Sequence, residues 1–202
     1  MIMSKQNTSS FSALILSSGL SERMGRPKAR LTWDSSQTFL EKIISDFLKS
    51  GCSSVICTVN HYLLPWCESI LPGNNVRFIL NEHPEWGRMH SVRLGLNELQ
   101  TESYCLIHNI DNPFINPDSI LKILSQREPD AWCSPEFEGK GGHPVLITNS
   151  IITKILRDDN HDKTLQQVLM EFPKRIVPME DDTVLRNINS PEDYQKFWGQ
   201  DR

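Results

Sequence analysis

Three cationic side chains, Arg23, Arg26 and Lys28, fall close together just after a run of small residues, Ser17, Ser18, Gly19 and Ser21. That run breaks off an apolar segment, Phe11 to Leu16. Small residues let backbone N–H groups approach an anion closely, and a nest of such donors binds phosphate oxygens. Arginine can grip two oxygens at once, while lysine offers a compact point charge. The pattern predicts a buried strand that delivers its chain into a loop cradling a polyphosphate. No Gly-Lys-Ser/Thr follows, so this is not a Walker A loop, and it lacks the G-x-G-x-x-G dinucleotide fingerprint.

A second chemically able residue is Asp111, where the apolar run YCLIHNI (104–110) ends before Asn112 and Pro113. A carboxylate there can hold Mg²⁺, which binds through one or two carboxylates plus substrate phosphates. An Asp before a Pro also starts turns, and the residue alone does not choose between the two. His108, inside the apolar run, reads as a core histidine.

These residues need a scaffold, and the chain supplies one as alternating strands and helices. Thr38 to Glu41 forms a capping box ahead of IISDFLKSG, an amphipathic helix that stops at Gly51. Strands are predicted over 53–60, 76–80 and 104–110, and helices over LLPWCESIL and 89–99. Asn116-Pro117 opens a helix running towards Gln126. AWCSPEF and HPVLIT read as paired strands around a Gly-Lys-Gly-Gly turn. Helices over 150–157 and 163–172 follow, then strands KRIVPM and VLRNI, and a second capping box, Ser190 to Asp193, opens the last helix. Strands alternating with helices predict an α/β, Rossmann-like three-layer sandwich with a mostly parallel sheet. Ligands of such sheets sit at the carboxyl ends of the strands, where the first loop and Asp111 both fall.

Length and composition set outer bounds. A chain of 202 residues accommodates one well-buried α/β domain over 11–202 after a flexible leader over 1–10. A net charge of −4 argues against nucleic acid as the main partner. No apolar run is long enough to span a bilayer, so no membrane association is expected. Five cysteines without C-x-x-C spacing fit buried thiols in a reducing cytoplasm.

The string L-S-S-G-L-S-E-R-M-G-R-P-K (16–28) resembles the signature of the molybdenum-cofactor nucleotidyltransferases, with Ser17 and Ser18 where that family usually carries two alanines. Those enzymes transfer CMP or GMP from a nucleoside triphosphate to molybdopterin. They are single-domain relatives of the nucleotide-sugar pyrophosphorylases, which implies the nucleotide-diphospho-sugar transferase type of fold. Three further blocks resemble the family in order. In N-E-H-P-E-W-G-R-M-H-S-V-R-L-G-L (81–96) the matching positions are Asn81, Gly87, Ser91, Val92 and Gly95, with Met89 and His90 where small residues are usual. Gly142-His143-Pro144-Val145 is similar to a strand beside the acceptor; His143 either contacts the pterin phosphate or merely starts that strand. Asn187-Ile-Asn-Ser-Pro-Glu-Asp is similar to a D-I-D-T-P-E-D block, with asparagines replacing both leading aspartates.

The resemblance implies catalytic roles for Arg23, Lys28 and Asp111, and a nucleotide site built from Leu16, Ser17, Ser18, Gly19, Ser21, Asn81, Gly87 and Ser91. It places His143 on the acceptor side and Mg²⁺ on Asp111, with Asn189 a weaker oxygen ligand. CTP stands ahead of GTP, because the G-H-P-V and S-P-E-D blocks look more like the cytidylyl branch. Two other readings fit the same residues. The acceptor could be a sugar phosphate or another phosphorylated alcohol, or Asn187 and Asn189 could mark a nucleotide-binding module without catalysis.

Overall fold

The computed structural model describes residues 10–70, 75–99, 104–158 and 162–198; the leader expected over 1–10 lies outside them except for Ser10. Strand β1 (Phe11–Ser17) is buried at every position, as a central strand covered on both faces must be. β2 (Ser54–Val59) pairs parallel with one side of β1, and β3 (Val76–Leu80) pairs parallel with β2. β4 (Tyr104–Asn109) then returns to pair parallel with the other side of β1, with Leu16 opposite Asn109. The winding direction therefore reverses between β1 and β4. Connections leave their carboxyl ends in opposite directions and open a crevice there, the usual ligand position of such sheets.

Beyond β4 the sheet changes character. β5 (Trp132–Phe137) and the two-residue β6 (Lys140–Gly141) form an antiparallel pair, and β7 (Val145–Thr148) runs antiparallel to both β4 and β5. β8 (Lys174–Pro178) adds parallel to β5 and completes an eight-stranded, mostly parallel sheet. The tight turn in this region is Glu138-Gly139, one position ahead of the predicted Gly-Lys-Gly-Gly. Both residues have positive φ, at 48° and 77°, as a two-residue hairpin turn demands. Lys140 and Gly141 are thereby freed to pair with β5.

Helices cover both faces. Buried residues of α1 (Phe39–Lys49), α2 (Leu64–Ile70) and α4 (Pro117–Ser125) form one core cluster with the sheet. Those of α3 (Arg88–Asn97), α5 (Asn149–Arg157) and α6 (Leu165–Leu169) form another. The caps read from sequence are in place. Thr38 N–H donates to Glu41 Oε2 at 2.8 Å, Ser119 N–H donates to Asn116 Oδ1 at 2.9 Å, and Ser190 N–H donates to Asp193 Oδ2 at 3.1 Å. The last of these opens α7 (Pro191–Trp198). All five cysteines are buried, and none of them forms a disulfide. Among the described residues no helix is long and apolar enough to cross a membrane.

Two predicted elements differ. The helix expected over 163–172 is reduced to α6, because Thr164 and Gln167 cap it one residue after Lys163. The strand expected at VLRNI is a 3-10 turn, Thr183–Leu185, followed by extended chain. Asp181 Oδ1 accepts the Thr183 N–H and hydroxyl and folds the chain there. The segment then crosses the carboxyl end of the sheet: His143 N–H donates to Val184 O at 3.0 Å and Ile188 N–H to Asp111 O at 2.7 Å. A third apolar cluster, Met24, Leu31, Phe39 and Ile188 with Trp33, Phe114, Tyr194 and Trp198, ties the first loop to α7.

Helix α3 lies against the sheet through Gly95, where a Cβ would stand 2.2 Å from Leu14 Cδ1. Gly95→Ala gains helix propensity of roughly 1 kcal/mol, but the overpacking against a buried central strand costs about 1–3 kcal/mol. A net loss is the expected result in urea unfolding; an unchanged or higher midpoint would show that the helix–strand approach is not tight.

Candidate active site

The crevice at the carboxyl ends of β1 and β4 encloses about 570 Å³. Its wall gathers residues far apart in sequence: Leu16, Ser18, Gly19, Ser21, Arg23 and Lys28 from the first loop, Gly87 and Ser91 from the start of α3, Asp111 after β4, and Asn189 ahead of α7. Three of the predicted positions lie off this wall. Ser17 is buried off the wall, and its hydroxyl has no partner among the described residues. Asn81 is fully buried behind the wall, and His143, expected on the acceptor side, belongs to a neighbouring cavity; Asn187, which is not assigned a role, is exposed outside both.

The first loop is held in shape from beneath. Asn60, at the end of β2, donates from Nδ2 to Ser18 O at 3.1 Å. Ser21 adopts the left-handed region at φ 55°, and a 3-10 turn over Glu22–Met24 buries Met24 in the aromatic cluster. Lys28 N–H reaches back to Ser21 Oγ at 3.4 Å. Arg23 is thereby left on the crevice wall. Arg26 is turned away, its guanidinium 5.2 Å from the Tyr194 ring centroid. Of the three clustered cations, two face the crevice and one packs on α7.

Behind the wall, Asn81 accepts the His83 N–H on Oδ1 at 2.9 Å, which fixes its amide so that Nδ2 faces two hydroxyls. Nδ2 donates to Ser91 Oγ at 3.0 Å and lies 3.4 Å from Ser18 Oγ, and the hydroxyls themselves are 2.8 Å apart. Ser18, an alanine in the resemblance, is thus the link between the first loop and α3. One hydroxyl proton of the pair remains for a ligand, because only one can lie between the two oxygens. Gly87 caps α3 at φ 87°, a conformation that favours glycine, with no side-chain cap on the helix's first N–H groups.

Asp111 is clamped by its backbone. Its carbonyl accepts from Ile188, and the next residue, Asn112, donates from Nδ2 to Thr183 O at 3.1 Å. Buried Lys42 pairs with Asp46 at 2.9 Å and also donates to Ile115 O, fastening α1 to the same loop. Lys28 Nζ stands 3.6 Å from Asp111 Oδ2, an ion pair too long for a hydrogen bond, and donates to Asn189 Oδ1 at 2.7 Å. Burial lowers the Lys28 pKa, against the pull of the Asp111 carboxylate. Asp111 Oδ1 is buried with no hydrogen-bond partner among the described residues. A carboxylate and an amide oxygen therefore converge on one cation, with one carboxylate oxygen unused. This is a hard-oxygen corner able to hold a divalent ion once ligand oxygens complete it.

The sequence reading missed Arg88. It is the first residue of α3, and with Gly87 it lines both the crevice and a second cavity of about 680 Å³. No salt bridge involves it among the described residues. Its signal in the sequence was a cation directly after a glycine at a helix start, inside a block read for Gly87 and Ser91. His143, half-buried in the second cavity, has its pKa pushed down to about 4 by burial and by the Arg88 charge. It is neutral at pH 7 and reaches an anion only as a hydrogen-bond donor.

The scaffold beneath the site carries His108, fully buried on β4 with Nε2 2.8 Å from Asn112 O and Nδ1 without a hydrogen-bond partner among the described residues. Burial, with smaller repulsion from His143, pushes its pKa down to about 3. The unfolded chain takes up this proton near the ordinary value, 6.5, so between the two values it binds more protons than the fold, and stability is lost as the pH is lowered. From about pH 6.5 to about pH 5 this one group removes roughly 1–2 kcal/mol. His108→Leu lowers stability overall but flattens that slope in urea unfolding; an unchanged slope would assign the acid sensitivity elsewhere.

Known proteins resemble this chain over most of its length. The sequence profile described as the MobA-like NTP transferase domain matches residues 13–176. The chain is 28% identical over 186 residues to the molybdenum cofactor cytidylyltransferase of Escherichia coli (strain K12), covering 92% of this chain and 94% of that one. It is 29% identical over 136 residues to the probable molybdenum cofactor guanylyltransferase of Methanosarcina acetivorans, covering 65% and 59%. Among solved structures, that of Rv0371c from Mycobacterium tuberculosis H37Rv shares the fold with a TM-score of 0.81 at 17% identity, over 93% of this chain and 96% of that one.

Proposed function

Because the chain belongs to the MobA-like NTP transferase family and is a nucleotidyltransferase, we propose that it transfers CMP from CTP to the phosphate of molybdopterin. The observation that carries this reading is the meeting of Lys28, Asp111 and Asn189 at 3.6 and 2.7 Å across the mouth of a phosphate-cradling loop. CTP rather than GTP is supported by the cytidylyltransferase match, which covers nearly all of both chains, whereas the guanylyltransferase match stops at 65% of this one.

An oxygen of the acceptor's phosphate attacks the α-phosphorus of the nucleotide. A new phosphorus–oxygen bond forms, the bond to the β-phosphate oxygen breaks, and pyrophosphate leaves with the electron pair. The nucleophile is already ionised near neutral pH, so no general base is needed, and rate comes from positioning and charge stabilisation. Arg23 and Lys28 lie on the same wall as the Ser18–Gly19 backbone and are placed to neutralise a triphosphate laid along it. Ser18 and Ser91 offer their spare hydroxyl proton to the nucleotide.

Mg²⁺ fits the corner: Asp111 and Asn189 would hold it, and it would draw charge from the phosphate oxygens as pyrophosphate departs. The unpartnered Asp111 Oδ1 supports this. Lys28 sits between the same two oxygens, so its ammonium must turn towards the incoming phosphates when a divalent ion enters.

Lys28→Ala and Asp111→Ala should each reduce pyrophosphate release with CTP, Mg²⁺ and molybdopterin by about 10²-fold or more, the scale of losing one charge-stabilising group. Both variants should retain a cooperative urea transition. Wild-type turnover in both would contradict the proposed mechanism.

A further inference from the structure

The two cavities meet at one ridge, and Gly87 and Arg88 belong to both walls. The crevice side of the ridge already has cations for a triphosphate, Arg23 and Lys28. The second cavity is lined by two cations, Arg88 and Lys163. Lys163 is committed elsewhere: its ammonium is 3.0 Å from Asp158 Oδ2 and 2.9 Å from Glu171 Oε1. Among the described residues this leaves Arg88 as the cation of that cavity without an ion pair, and it also lines the crevice that holds Asp111.

The rest of the second cavity suits a flat, polar ring. Two indoles, Trp86 and Trp132, contribute to its wall. Trp86 is stacked on His83 with centroids 4.0 Å apart and planes 8° from parallel, so one indole face is already covered and braced. Two residues of this wall, Trp132 and His143, each carry a buried ring nitrogen, Nε1 and Nδ1, with no hydrogen-bond partner among the described residues. Buried groups of that kind are costly unless something pairs with them, and a heterocycle carrying ring nitrogens and a carbonyl can do so.

We infer that Arg88 is the acceptor-binding residue of this enzyme: it grips the terminal phosphate of a phosphorylated heterocycle whose ring lies in the second cavity, and so holds the attacking oxygen at the ridge facing the nucleotide. The inference rests on the nucleotidyl-transfer reading but not on the identity of the acceptor. A guanidinium suits the task because it can hold two phosphate oxygens in a planar fork and leave the third free to attack. Its position on the first turn of α3, next to backbone N–H groups that no side chain caps, adds to the local preference for an anion.

The test uses full-length protein saturated with Mg²⁺ and a non-hydrolysable CTP analogue, which fills the triphosphate site. Inorganic phosphate and, separately, molybdopterin are titrated in and followed by tryptophan fluorescence. Arg88→Met should weaken phosphate binding about tenfold or more, and Arg88→Lys by less, while affinity for the CTP analogue stays within about threefold. Phosphate affinity unchanged in Arg88→Met, or a parallel loss of affinity for the analogue, would overturn the assignment. If molybdopterin fails to bind the wild type while phosphate binding still depends on Arg88, the inference stands and the molybdopterin reading falls.

Discussion

The site depends on one ammonium group held between two oxygens from segments far apart in the chain. Lys28 is delivered by the loop after β1, Asp111 by the end of β4, and Asn189 by the segment that crosses the sheet ahead of α7. None of the three is near another in sequence, so their meeting requires the β1–β4 pairing, the Met24 anchor and the Ile188 N–H bond to Asp111 together. Burial disfavours the charged lysine and the acid restores it, a balance that a bound polyanion can tip. A charge kept in place by weak opposition is suited to changing partner when ligand arrives.

Around that point the fold builds two cavities. The parallel half of the sheet, with its fully buried central strand, builds the crevice through the loop after β1 and through α3. The antiparallel half, β5 to β7, builds the second cavity with Trp132, Gly141 and His143. The ridge at Gly87 and Arg88 is where these halves share a wall. Tight packing of α3 on β1 through Gly95 keeps that ridge in register with the first loop, and the Ser18–Ser91 hydroxyl contact joins them directly.

Much of this was legible in the sequence because local chemistry and global position coincide. An apolar strand broken by Ser-Ser-Gly has one place to go in a parallel sheet, and Thr38, Asn116 and Ser190 cap the helices that follow. What was not legible depended on contacts made late in the chain. The VLRNI stretch has the residue types of a strand, but Asp181 turns it and Asp111 and His143 recruit its backbone. Arg26 looks equivalent to Arg23 in a list of cations, and only the position of Tyr194 separates them. Arg88 was hidden for a related reason: nothing in its own segment shows that a second cavity lies on its far side.

The most direct test is a crystal structure with CTP and Mg²⁺ bound. The account predicts the triphosphate along the Ser18–Gly19 backbone, Lys28 Nζ moved from Asn189 onto phosphate oxygen, and the metal on Asp111. A nucleotide bound elsewhere, with Lys28 still held between Asp111 and Asn189 and no ion beside the acid, would contradict it.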